Sequence, residues 1–144
     1  MIVAMKLKWK KLDPGAIAPA YAHPGDAGLD FFSLERTIIP PGARKAIRTG
    51  ISMEIPEGHV GLFWDKSGLA IRDGLTTLGG VIDAGYRGEV QILMLNVSDK
   101  EYVFEAGHKV AQLLIQKVEH PDIAESEGLS ETRRGTGGFG STGR

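Results

Sequence analysis

The chain has 144 residues, a formal net charge of −1 and no cysteine, with 42% hydrophobic and 24% charged residues. That balance fits one compact domain with a single core. It speaks against a duplex nucleic-acid binder, which carries a basic field to meet phosphates, and the missing cysteines leave no disulfide staple or thiolate metal site.

In chain order, the apolar run Met1 to Met5 is too short for a secretory signal, and the lysines follow it instead of preceding it. No stretch approaches the ~20 apolar residues that span a membrane. The reading is a cytoplasmic protein with no membrane and no nucleic-acid partner. Met5, Leu7 and Trp9 alternate with Lys6, Lys8 and Lys10, a period of two that predicts an exposed or edge strand with one charged face. Turn signals then recur at Asp13-Pro14-Gly15, His23-Pro24-Gly25, Pro40-Pro41-Gly42, Pro56-Glu57-Gly58 and Ala106-Gly107. Between them lie β-rich runs at Asp30–Leu34, Arg36–Ile39, Lys45–Ile55, His59–Asp65, Gly88–Asn96, Glu101–Glu105 and Lys109–Val118. Short strands at such spacing predict an all-β sandwich, barrel or jelly roll. One short helix is expected at Ser67 to Arg72, with Ser67 as its cap. His120 to Glu131 is polar and acidic and reads as a linker. Beyond it, five of the nine residues Gly135 to Gly143 are glycine. Such a segment buries too little apolar surface to order itself. The division is a β domain over 1–131 and a flexible arm over 132–144.

Several segments carry chemically useful residues, and each has a plainer reading. Asp26-Ala27-Gly28-Leu29-Asp30 sets two acids around a glycine turn, as ordinary turn chemistry or as water ligands for a divalent cation. Asp65-Lys66-Ser67-Gly68-Leu69-Ala70 joins a strand end to a helical turn, either a capped turn with a solvated lysine or an anion site. Gly80 to Glu89 places Asp83 at a strand-to-turn junction with Tyr86 three residues on, either a hairpin with a turn aspartate or a general base for water. The glycine tail is a disordered end, a weak single-strand binder or a lid. In the lid reading, its N–H groups wrap phosphates and Phe139 stacks on a base. Its letters G-x-G-x-x-G lack the strand and helix of a dinucleotide fingerprint. The four histidines show no zinc spacing.

Taken together and in order, DAGLD, KSGLA, GVIDAGYRGE, GHKVAQL and RGTGGFGSTG resemble the five motifs of the trimeric dUTP diphosphatases, from Asp26 to Gly143. The resemblance implies a jelly-roll-like β fold, a homotrimer with sites between subunits, dUTP as substrate and Mg2+ as cofactor. By position, Asp83 corresponds to the carboxylate that orients the attacking water, and Tyr86 to the ring that packs on deoxyribose and leaves no room for a 2′-hydroxyl. A hairpin from about Thr77 through Gly80, Val81 and Ile82, with Gln91 opposite, corresponds to the main chain that reads uracil. Lys66, Ser67, Gly68 and Gln112 fall where phosphates are contacted, and Asp30 where Mg2+ is held through water. Arg134 with Gly140, Ser141 and Thr142 matches the γ-phosphate grip, and Phe139 the ring that stacks over uracil.

Three positions depart from the family pattern. Lys66 stands where arginine is common, which turns a bidentate contact into a point charge. His108 stands in place of an acid and Gly85 in place of a second aspartate. Two other functions compete with this one. A dCTP deaminase, on a similar fold, carries a glutamate at the position of Leu93, and leucine cannot shuttle protons. A non-catalytic nucleotide sensor would have no need of Asp83, Tyr86 and the full tail.

Overall fold

The computed structural model describes residues 4–143. Eleven strands and one helix are present among them: β1 (Lys8–Lys11), β2 (Leu29–Phe32), β3 (Thr37–Ile39), β4 (Arg44–Arg48), β5 (Ile51–Glu54), β6 (His59–Trp64), α1 (Ser67–Asp73), β7 (Leu75–Leu78), β8 (Val81–Ile82), β9 (Gln91–Asn96), β10 (Tyr102–Phe104) and β11 (Lys109–Lys117). All-β is the outcome expected from the turn spacing. The strands form open sheets ordered β2-β11-β6-β8 and β4-β9-β7, with two-stranded pairs β1-β5 and β3-β10. This is a sandwich; the described strands do not close into a barrel.

Alternation along each strand builds the core. Phe31 and Leu113 from one sheet meet Ile47, Ile92, Met94 and Leu75 from the other in one buried cluster. The Phe31 and Phe63 rings meet edge to face at 5.1 Å. Burying each such side chain contributes about 1.5–3 kcal/mol. Asn96 is buried but satisfied, donating to Ile39 O at 3.0 Å and Lys100 O at 2.7 Å.

Four sequence expectations need correction. The run Lys45–Ile55 is not one strand. Gly50 takes φ 67°, a left-handed turn that non-glycine residues adopt only with strain. The chain breaks there, so β4 joins β9 while β5 joins β1. The first strand begins only at Lys8, and its residues are all exposed. Ser67 does not cap α1: Lys66 holds the N-cap position, without a side-chain cap bond. Finally, Thr77 to Ile82 is not a paired hairpin. β7 pairs with β9 and β8 pairs with β6, so the Gly79-Gly80 corner carries the chain from one sheet to the other.

Candidate active site

Strand register assembles the first cluster. In β2 the alternation sends Phe31 into the core and turns Asp30 to the opposite face. There Asp30 pairs with Gln112 of β11, and Gln112 is also opposite Trp64 of β6. Gln112 therefore sits between the first and second motifs. Its Nε2 donates to Asp65 O at 2.9 Å, and its side chain fills the space where a Cβ on Gly28 would stand, 2.5 Å from Oε1. Lys109 and Gln112 are three residues apart, so a regular pleat would put them on opposite faces. A bulge at Val110 shifts the register and returns Lys109 to the face of Asp30.

The Asp30 carboxylate is 3% exposed. Its Oδ1 accepts from Lys66 Nζ at 2.6 Å. Lys109 Nζ lies 2.9 Å from Oδ2, so each carboxylate oxygen faces one ammonium. Burial works to raise the Asp30 carboxyl, but the two ammonium groups outweigh it and hold it below its ordinary value. The cluster carries one acid against two lysines, a net positive surface beside the start of α1, whose first N–H groups have no intrahelical acceptor. That arrangement suits an anion.

Because the folded carboxyl is more acidic than the unfolded one, the cluster's stabilisation is complete above the unfolded pKa of about 3.9 and is lost as pH falls through the lower folded pKa. Asp30→Asn should therefore lower stability at pH 7 by about 1–2 kcal/mol. This is less than for a fully enclosed pair, because both lysines reach solvent. The gap should close towards pH 2. Urea midpoints at the two pH values check this, and an equal gap at both would mean that the charges contribute nothing.

The second group lines a cleft of about 370 Å³ between Val81, Ile82, Asp83, Tyr86, Glu89 and Gln91. Asp83 follows β8 directly, at the strand-to-turn junction expected from sequence, and its carbonyl accepts from Tyr86 N–H at 3.1 Å. The Tyr86 hydroxyl donates to Glu89 O at 2.8 Å, which fixes the ring. Glu89 is the other acid in the cleft, but it is engaged: its Oε1 takes Gly50 N–H at 2.9 Å and Arg48 Nε at 3.2 Å. Leu93 lies in β9 between buried Ile92 and Met94, opposite Leu78 and Ala46. Thr77, Gly80 and Val81 line an adjoining cleft with Asp65, so Val81 is the wall between the two.

The described residues of the arm join neither group. Residues 119–136 are all exposed, and Phe139 is fully exposed with φ 50°. The arm's bonds are internal turns, such as Arg134 Nε donating to Gly137 O at 2.7 Å and Ser141 N–H to Gly138 O at 3.1 Å. So Arg134, Phe139, Gly140, Ser141 and Thr142 stand apart from Asp83 and Lys66 within one chain.

Sequence reasoning missed Lys109 and Asp65 as parts of the site. The signal for Lys109 was its place in GHKVAQL, but the bulge that aims it has no local signature. Two departures gain a structural account. His108 Nδ1 accepts from Glu105 N–H at 3.1 Å, the acceptor role that an acid would fill in that turn. Gly85 lies in an exposed turn where an added Cβ would meet nothing within 4 Å, so the missing aspartate removes no packing.

The family model described as dUTPase matches residues 15–143. A protein of Clostridium tetani named deoxyuridine 5'-triphosphate nucleotidohydrolase is 48% identical over 140 residues, covering 96% of this chain and 97% of its own length. A structure of a Staphylococcus bacteriophage 80alpha dUTPase variant with dUpNHpp superposes with TM-score 0.92 at 31% identity, covering 98% of this chain and all of that one. A dUTPase variant from phage phi11 of S. aureus is described as revealing the coordination of a structural Mg(II) ion. It superposes with TM-score 0.80 at 30% identity, covering 86% of this chain and 98% of its own. On the length of the match, the identity and the shared fold, the chain belongs to the dUTPase family.

Proposed function

We propose that the protein hydrolyses dUTP to dUMP and pyrophosphate, which limits uracil in DNA and supplies dUMP. The observation that carries this is Asp83, an exposed carboxylate at the mouth of a cleft beside Tyr86 and Gln91, in a chain of this family. Asp83 takes a proton from water as the oxygen attacks the α-phosphorus in line, and pyrophosphate leaves. Tyr86 packs on deoxyribose. The main chain of Thr77, Gly80, Val81 and Ile82, with Gln91, reads uracil. Lys66, Ser67, Gly68 and Gln112 bind the phosphates, joined by Lys109. Charge must be offset before hydroxide approaches a triphosphate, and fixed donors do this without reorganising during the reaction.

The fit of Mg2+ can be judged from Asp30. Among the described residues no three His, Asp or Glu are grouped to hold an ion, so a protein-caged metal does not fit. An ion carried in by the triphosphate does. Asp30, held between Lys66 and Lys109, is the carboxylate that would hold such an ion through water. When bound, Mg2+ supplies positive charge to the phosphate oxygens.

The protein functions as a homotrimer with sites between subunits. Support comes from the arm, which reaches no site residue of its own chain. Further support is an apolar groove of about 310 Å³ lined by Met5, Leu7, Trp9, Tyr21, Leu29 and Ile115, a surface that a second copy would cover. Arg134 and Gly140 to Thr142 then grip the γ-phosphate of a neighbour's substrate while Phe139 stacks over its uracil. No helix among the described residues is long and apolar enough to cross a membrane, and the lack of cysteine fits the cytoplasm.

Pyrophosphate release from dUTP, UTP, dTTP and dCTP tests the reading. Release is expected from dUTP far ahead of the others. Ammonia from dCTP would instead indicate a deaminase, against which Leu93 argues, because leucine cannot shuttle protons. Tight dUTP binding without pyrophosphate would indicate a sensor.

A further inference from the structure

Asp65 is the residue between β6 and the phosphate loop, and the reaction as described gives it no task. Its side chain turns away from the phosphates and reaches back to the start of β7. Oδ1 accepts the Thr77 N–H at 2.6 Å and the Thr77 hydroxyl at 2.8 Å, and Oδ2 accepts the Thr76 hydroxyl at 2.7 Å. Its own carbonyl is held by Gln112 Nε2 at 2.9 Å. One residue thus ties together β6, β7 and β11.

The location gives this clamp its consequence. β7 is the edge of the β4-β9-β7 sheet, so the Thr77 N–H that points away from β9 has no strand to receive it. Asp65 receives it instead. Three donors use most of the carboxylate's acceptor capacity, which marks Asp65 as an anchor and leaves little for a ligand. Burial works to raise this carboxyl, and the Thr77 N–H with the two hydroxyls outweighs it and keeps it below its ordinary value. Two residues beyond Thr77 the chain makes the Gly79-Gly80 corner. Gly80 O there accepts from Phe63 N–H at 2.8 Å, and Thr76, Thr77, Gly80 and Val81 line one cleft of about 310 Å³ with Asp65. β8 is only two residues long and is paired on one side, to β6. The corner is thus pinned to β6 on its far side, and its near side is set by how β7 is held.

We propose that Asp65 is a positioning residue that sets base selectivity, by clamping through Thr76 and Thr77 the strand that leads into the base-reading corner. This rests on the dUTP reading of the site. A fixed corner offers main-chain donors and acceptors in a pattern that matches uracil and mismatches cytosine. A corner free to shift admits both, because selectivity against a wrong base comes from buried polar groups that cannot move to meet it. Sub-ångström placement matters at this scale, since a misplacement of about 1 Å can change rates about 10²-fold.

The test compares kcat and KM for dUTP and dCTP in the full-length wild type, in Asp65→Ala and in the double variant Thr76→Val with Thr77→Val. Valine keeps the branched shape and strand propensity and removes only the two hydroxyl donors. Both variants are expected to lose about tenfold or more of the preference for dUTP over dCTP, chiefly through a higher KM for dUTP. Combining Asp65→Ala with the valines should add little, because all three act through one clamp. A simple loss of stability would lower activity on both nucleotides alike and leave the ratio unchanged. A ratio unchanged in the valine variant overturns the inference, and that variant decides the matter if Asp65→Ala does not fold. A wild type that releases no pyrophosphate from dUTP would overturn the dUTP reading itself, and the inference with it.

Discussion

Asp83→Asn is expected to bind dUTP about as tightly as the wild type and to turn it over about 10²–10⁴-fold more slowly. The amide keeps the shape of the carboxylate and loses the ability to take a proton. The scaffold beneath it does not depend on that charge. β8 is held by its register with β6, and the turn after it is closed by Tyr86 N–H donating to Asp83 O at 3.1 Å, a main-chain bond that the substitution leaves in place. Nor does a neighbour stand ready to substitute. Glu89 shares the cleft, but Arg48 and the Gly50 N–H hold it. The proposed phosphate contacts belong to the separate cluster around Asp30. A loss confined to kcat, with binding intact, is the signature of an interaction made only in the transition state. Equilibrium binding of dUTP together with single-turnover pyrophosphate release measures both quantities. Near-normal turnover in the variant would remove Asp83 from its role.

Removing the arm by truncation after Arg133 should cripple turnover, by about 10²–10³-fold, while the assembly keeps its size. The core of the protein ends at Lys117 with β11, and nothing in the described arm is part of the buried cluster. Its loss therefore removes no packing. What it removes is Arg134, the hydroxyls and N–H groups of Gly140 to Thr142, and the face of Phe139. Delivered together onto a bound triphosphate, these would exclude water and add donors where charge develops, and one such donor alone is typically worth about 10²–10³ in rate. The arm must be ordered each time it closes, so much of its binding energy is spent there and the gain appears in the rate. Steady-state kinetics beside sedimentation of the truncated protein separates the two claims. Full-speed hydrolysis would reduce the arm to a tail, and a change of assembly size would place it in the interface.

The sequence alone determined much of this. Turn residues at close spacing, with short alternating runs between them, require an all-β chain, because the periodicity of two and the glycine and proline breaks act locally. The motifs were legible for the same reason: Asp83 stands at the end of a strand and before a turn because Ile82 and Ala84-Gly85 put it there. Other features depended on partners far along the chain. The run Lys45–Ile55 looks continuous, and it breaks at Gly50 because β4 and β5 find partners in different sheets. Thr77 to Ile82 looks like a hairpin, and its halves also go to separate sheets. Lys109 comes to Asp30 only through a bulge against β2, and Asp65 reaches Thr76 and Thr77 only because the chain returns through α1 to bring β7 to the end of β6. Spacing along the chain fixes which face a residue presents to its own strand. Which charge meets it there is settled by register between strands, and register is a property of the folded whole.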